Sequence, residues 1–93
     1  MQIPEQFQLA GAVWTVVQKA SLADENGAAC LGLTHRDKLL LEIKEDLPQT
    51  VKETTFMHEL VHCIKFTMGQ QDHDEVEVDA FAQLLHQYLI SAK

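Results

Sequence analysis

The sequence predicts an α+β fold: a small three-stranded sheet followed by two packed helices. Three observations carry this. Leu39, Leu41 and Ile43 alternate on one face with a period of two, and from Thr50 the apolar residues recur at three- and four-residue spacing. The first half holds the densest β-branched and aromatic run, Val13-Trp14-Thr15-Val16-Val17. Ninety-three residues suffice for one core only, since a chain this short buries about 60% of its unfolded surface. With strands first and helices second, two helices laid over one face of the sheet give residues 1–93 a single domain.

Val13 to Val17 forms the first predicted strand. Ala23-Asp24-Glu25-Asn26-Gly27 follows, and its Asn-Gly ending signals a turn. Ala28 to Thr34 and Lys38 to Lys44 regain β character on either side of His35-Arg36-Asp37, which predicts a hairpin with Leu39, Leu41 and Ile43 on one face of its second arm. From Thr50 the period changes. Thr50-Val51-Lys52-Glu53 fits a capping box, so a helix is expected from about Val51 to Met68, with Phe56, Met57, Leu60, Val61 and Ile64 as its apolar stripe and Gly69 as its stop. A second helix, from about Asp74 to Ser91, carries Phe81, Leu84, Leu85, Tyr88 and Leu89 at helical spacing, and these are expected to face the core.

Composition narrows the function classes. A formal charge of −7 has the wrong sign for wrapping phosphates, and no segment is locally basic, so nucleic acid is not an expected partner. No apolar run approaches the roughly 20 residues that span a bilayer, so no membrane role is expected. Met1-Gln2-Ile3-Pro4-Glu5 has neither a cationic start nor an apolar stretch, and two cysteines do not make a disulfide framework. The expected setting is therefore cytoplasmic, with both thiols free.

The chemistry concentrates in the first long helix, at His58-Glu59-Leu60-Val61-His62. Histidines four residues apart project from one helix face, so both imidazoles can reach one Zn²⁺, and the glutamate after the first can take a proton from a metal-bound water. Zinc lowers the pKa of such a water to about 7, and the glutamate then passes its proton to the leaving amine. A shuffle of this composition produces the string about twice in a hundred trials, so its position inside a helix carries much of the weight.

A catalytic zinc site needs a third protein ligand. Candidates crowd into Asp72-His73-Asp74-Glu75-Val76-Glu77-Val78-Asp79. Four residues back from Phe81, Glu77 continues the apolar stripe and is expected to point inward, whereas Asp79 and Glu75 fall off that phase and Asp74 suits the N-cap.

His58-Glu59-Leu60-Val61-His62, followed by Glu77-Val78-Asp79-Ala80-Phe81-Ala82-Gln83-Leu84-Leu85, resembles the ImmA/IrrE-type zinc metallopeptidases, in which a second helix begins E-A-N-x-F-A-x-x-L-L. Val78 and Asp79 stand where the commoner motif has Ala and Asn. Small phage-encoded members share the strands-first order and an ending like Leu85-His86-Gln87-Tyr88-Leu89. The resemblance implies a gluzincin-like site with His58, His62 and Glu77 on Zn²⁺ and Glu59 as general base. It implies a peptide or protein substrate, the host cytoplasm as location for a phage protein, and Ala28 to Thr34 as the strand at the cleft rim.

Other residues have plainer readings. Cys63 points about 100° away from His62 around the helix and reads as a packed thiol, as does Cys30. His73 reads first as a solvated loop residue, with donation to a tetrahedral intermediate as the alternative. His35 and His86 are expected at the surface, and Tyr88 and Trp14 in the core. The leading function is a minimal zinc metallopeptidase. A non-catalytic zinc-stabilised protein-binding module and a metal-free helical interaction protein are the alternatives, and oligomeric state is left open.

Overall fold

In the computed structural model, which covers residues 1–93, the elements run β1 (Gln6–Leu9), β2 (Ala12–Lys19), β3 (Gly32–His35), a single 3-10 turn at Arg36–Lys38, β4 (Leu40–Lys44), α1 (Gln49–Thr67) and α2 (Glu75–Ser91). The class is α+β, with four strands rather than three. The added strand is β1, where Phe7 and Leu9 alternate with Gln6 and Gln8. Ala10 and Gly11 have φ of 50° and 83°, so the chain reverses in two residues with both dihedrals positive, which matches the twist of a tight hairpin.

The sheet order is β1-β2-β4-β3. β2 and β4 pair in parallel at its centre, while β1 and β3 pair antiparallel at its two edges. Of the segment expected as a strand from Ala28, only its last residues pair with β4. Before them the chain makes a loop, in which Asp24 Oδ1 accepts the amides of Asn26 and Ala28 at 2.9 Å each and Gly27 takes φ 82°.

α1 packs on one face of this sheet, and α2 packs on α1. Trp14 and Val16 from β2, and Leu41 and Ile43 from β4, meet Phe56, Met57 and Val61 of α1 and Val78 and Ala82 of α2 in one cluster. Leu39 does not join its expected face, because it sits in the turn at φ 49°. α1 starts at Gln49 after Pro48, without a side-chain cap. The expected Thr50–Glu53 box does not form, because the helix begins earlier and Thr50 lies inside its first turn, while the Glu53 carboxylate is turned inward to His86. At the other end Gly69 stops α1 as expected: at φ 88° its amide donates to Phe66 O while that of Gln70 donates to Lys65 O. Asp74 caps α2 by accepting from Val76 N at 2.9 Å and Glu77 N at 3.3 Å.

The second helix departs from expectation in its rotation. Its buried residues are Val78, Ala82 and His86, whereas Phe81, Leu84 and Tyr88 are 54%, 73% and 67% exposed. Val78 and Ala82 are the apolar residues this face buries, and the polar His86 is stabilised by hydrogen bonding Glu53 at 2.8 Å. No helix is long and apolar enough to cross a membrane.

Candidate metal centre

α1 presents His58 and His62 one turn apart, their ring centroids 5.1 Å from each other. The rotation of α2 decides which acid they meet. Taking 100° per residue, Glu75, Val78, Asp79, Ala82 and His86 share an arc of about 100°, and that arc faces α1. Glu75 Oε2 lies 3.1 Å from His58 Nε2, and its Oε1 lies 3.1 Å from His62 Nε2. One donor atom from each of the three side chains falls within 4.8 Å of the others, close enough to share one ion. Two imidazoles and a carboxylate are a donor set suited to Zn²⁺.

Glu77, expected as the third ligand, is not part of this set. It is in phase with Phe81 and Leu84 as the sequence indicated, but that face points outward, and its carboxylate pairs with the Lys65 ammonium. Asp79, expected to be solvated, approaches His58 instead: its Oδ1 lies 3.5 Å from Nδ1. His62 Nδ1 has a different neighbour, His73 Nδ1 at 2.6 Å. Burial pushes the pKa of His62 down, against the pull of Glu75.

Glu59 lies about 100° around α1 from His58, turned toward β3, and is buried. The Thr34 hydroxyl donates to its Oε1 at 2.8 Å, and Gly32 closes over it: a Cβ at residue 32 would sit 2.9 Å from Glu59 Cγ and 2.9 Å from Thr55 Cγ2. Burial raises the pKa of Glu59, partly offset by the Thr34 hydrogen bond and the charge of His58, while the Glu75 carboxylate adds to the rise. That direction suits a group that must take up a proton.

His58 and Glu59 open onto a polar cleft of about 520 Å³, walled by Leu31, Gly32, Thr54 and Thr55 on one side and by Asp79, Gln83, His86 and Gln87 on the other. β3 is the edge strand beside it. Lys44 N–H donates to Leu31 O at 2.9 Å, so Leu31, and by alternation Leu33, turn their backbone groups toward β4. Gly32 and Thr34 therefore direct theirs to the free edge.

The remaining residues sort as follows. Trp14 is in the core as expected, and Cys63 is a packed thiol, its pKa pushed up to about 12 by burial. Cys30 is half-buried and unpaired with any second sulfur. His35 is not a free surface group, since its Nε2 lies 2.6 Å from the buried carboxylate of Glu42. His86 is buried rather than exposed, and Tyr88 is exposed rather than buried. Sequence reasoning missed Glu75, Asp79, Thr34 and Gly32. Glu75 could have been found by phasing α2 on Ala82 and His86. Comparison with family models, with curated proteins and with solved structures finds no match to the chain.

Proposed function

We propose that this protein is a small zinc-dependent metallopeptidase, with His58, His62 and Glu75 holding the metal and Glu59 acting as general base on an extended peptide or protein segment. One observation carries the reading: both Nε2 atoms of the H-E-x-x-H pair converge on a carboxylate from the neighbouring helix, while the glutamate between them lies buried at the wall of an open cleft. The resemblance of the same motif to ImmA/IrrE-type peptidases supports it.

Zinc bound by these donors would supply Lewis acidity, lowering the pKa of water to about 7 and polarising a carbonyl. Every other contribution comes from the chain. Glu59, oriented by the Thr34 hydroxyl, takes a proton at Oε1 or Oε2 and gives it to the leaving amine. Gly32 and Thr34 offer backbone donors and acceptors to a peptide lying along β3 as an added strand, and Gln83 and Gln87 line the opposite wall with neutral amides.

The test is metal content together with turnover. One zinc per chain is expected, lost in His58→Ala, His62→Ala and Glu75→Ala but retained in Glu77→Ala. Glu59→Gln is expected to keep zinc and fold while peptide cleavage falls about 100-fold or more. Wild-type protein that takes up no zinc on titration overturns the proposal. A second reading, a zinc-stabilised binding module without turnover, draws support from the cleft lining, which holds no lysine, arginine or tyrosine. Zinc binding with no cleavage across a peptide library would favour it.

A further inference from the structure

His73 lies in the loop between α1 and α2, one residue before the cap of α2, and its ring is held on three sides. Its Nε2 is 2.9 Å from the Gln70 carbonyl. The Phe66 ring packs against it at a centroid distance of 4.4 Å, tilted by 48°. Its Nδ1 is 2.6 Å from His62 Nδ1. The two imidazole planes differ by only 18° and their centroids are 4.9 Å apart, which together with the short nitrogen-to-nitrogen distance describes rings joined edge to edge in one plane rather than stacked face to face.

Hydrogen bonding then assigns the protons. A carbonyl can only accept, so His73 Nε2 carries the hydrogen that goes to Gln70 O. A neutral imidazole has one such hydrogen, which leaves His73 Nδ1 bare and able only to accept. With both rings neutral, the proton in the 2.6 Å contact comes from His62 Nδ1–H. His62 is left with a bare Nε2, the atom that lies 3.1 Å from Glu75 Oε1. In that tautomer a cation held between the two atoms would satisfy both lone pairs.

From this geometry we infer that His73 is a positioning residue: by accepting the Nδ1 proton of His62 it fixes the tautomer that turns the Nε2 lone pair toward the metal-holding set. The inference rests on the proposed metal centre for its purpose but not for its observable, since the tautomer exists with or without an ion. His58 is served differently, by the Asp79 carboxylate at the longer distance of 3.5 Å. The two histidines thus face chemically distinct neighbours, one charged and one neutral. A neutral acceptor orients the ring without adding negative charge to the site.

The experiment is long-range proton–nitrogen correlation NMR of the imidazoles, run on metal-free and zinc-titrated protein, beside zinc affinity by chelator competition. In wild-type protein without metal, His62 is expected as the Nδ1–H tautomer and His73 as the Nε2–H tautomer. His73→Ala is expected to leave His62 in mixed tautomers and to weaken zinc binding by about 10- to 100-fold, still at one zinc per chain. His73→Asn, whose side-chain oxygen can accept the same proton, is expected to recover much of that loss. Three results overturn the inference: His62 found as the Nε2–H tautomer in metal-free protein, an affinity and tautomer unchanged in His73→Ala, or a direct zinc-induced shift of His73 Nδ1 marking it as a fourth ligand. If wild-type protein binds no zinc, the metallopeptidase reading fails on its own, and the metal-free tautomers still decide whether His73 orients His62.

Discussion

The Thr34 hydroxyl donates to Glu59 Oε1 at 2.8 Å, bridging the edge strand of the sheet and the first turn of the H-E-x-x-H motif. The same hydroxyl lies 3.3 Å from the Glu59 backbone carbonyl, so one side chain reads both the position of α1 and the rotamer of its glutamate. A hydrogen bond to a charged group contributes about 1.5–3 kcal/mol. Thr34→Val keeps shape and removes the donor. It is expected to lower kcat for peptide cleavage roughly 10-fold or more while zinc content stays at the wild-type level. Steady-state kinetics on metal-quantified protein checks this, and an unchanged kcat would mean that packing alone holds Glu59.

Gly32→Ala probes the same contact by steric means. The added methyl would meet Glu59 Cγ and Thr55 Cγ2, each at 2.9 Å, and Glu59 Oε2 at 3.2 Å. Overpacking of this kind costs about 1–3 kcal/mol, so Tm should fall, and displacement of Glu59 should reduce hydrolysis further than the loss of stability explains. Zinc affinity should be nearly unaffected, because the His58, His62 and Glu75 donors are contributed by the two helices and none by β3. A variant with wild-type cleavage rates would show that Glu59 can move aside without cost.

Acid should unfold the protein through Glu53. Its carboxyl is held down to about 2, first by the hydrogen bond from His86 and then by that from Gln49, against burial that opposes the shift. A folded-state pKa below the ordinary 4.5 means that the unfolded chain takes up the proton first as pH drops. The stabilisation is therefore complete above the unfolded pKa and is lost as pH falls through the interval from 4.5 to about 2. Glu53→Gln should be less stable than wild type at neutral pH and should show a shallower decline over that interval. Urea midpoints measured as a function of pH decide it; parallel curves for the two proteins would exclude Glu53 as the titrating group.

Much of this architecture is legible in the residues. Val13 to Val17, the Asn26-Gly27 turn, the Leu41 and Ile43 alternation and the Gly69 stop each act through local backbone preference or a single periodicity, and each appears where expected. What escaped depends on partners distant in sequence. β1 is four residues long and polar at every second position, so its pairing with β2 is visible only once Ala10 and Gly11 are seen to close a hairpin. The rotation of α2 differs from the one its sequence indicates because Phe81, Leu84 and Tyr88 form the stronger apolar stripe yet are exposed. The face that packs carries a histidine whose polarity is compensated by Glu53, 33 residues away. That rotation is why Glu75, and not Glu77, lies beside the two histidines, since the two glutamates are about 200° apart around the helix. The histidine pair and its glutamate needed no such information, because their spacing alone puts them on α1 together.

The division of labour between helices and sheet has a consequence in local opening. β3 has four residues, and β4 is its only strand neighbour. Short edge strands with one neighbour open at lower free energy than the core does. The donors His58, His62 and Glu75 belong to an antiparallel helix pair joined by a short loop, whose association does not require β3 to stay docked. A molecule in which β3 has frayed thus keeps the proposed metal-holding set together but leaves Glu59 without the Thr34 hydroxyl and with its wall open to water. Amide exchange at Leu33 and His35, which face β4, should therefore be faster than at Val61 and Cys63 of α1. Raising temperature within the native range should reduce the fraction of molecules competent for proton transfer before it reduces the fraction that holds metal.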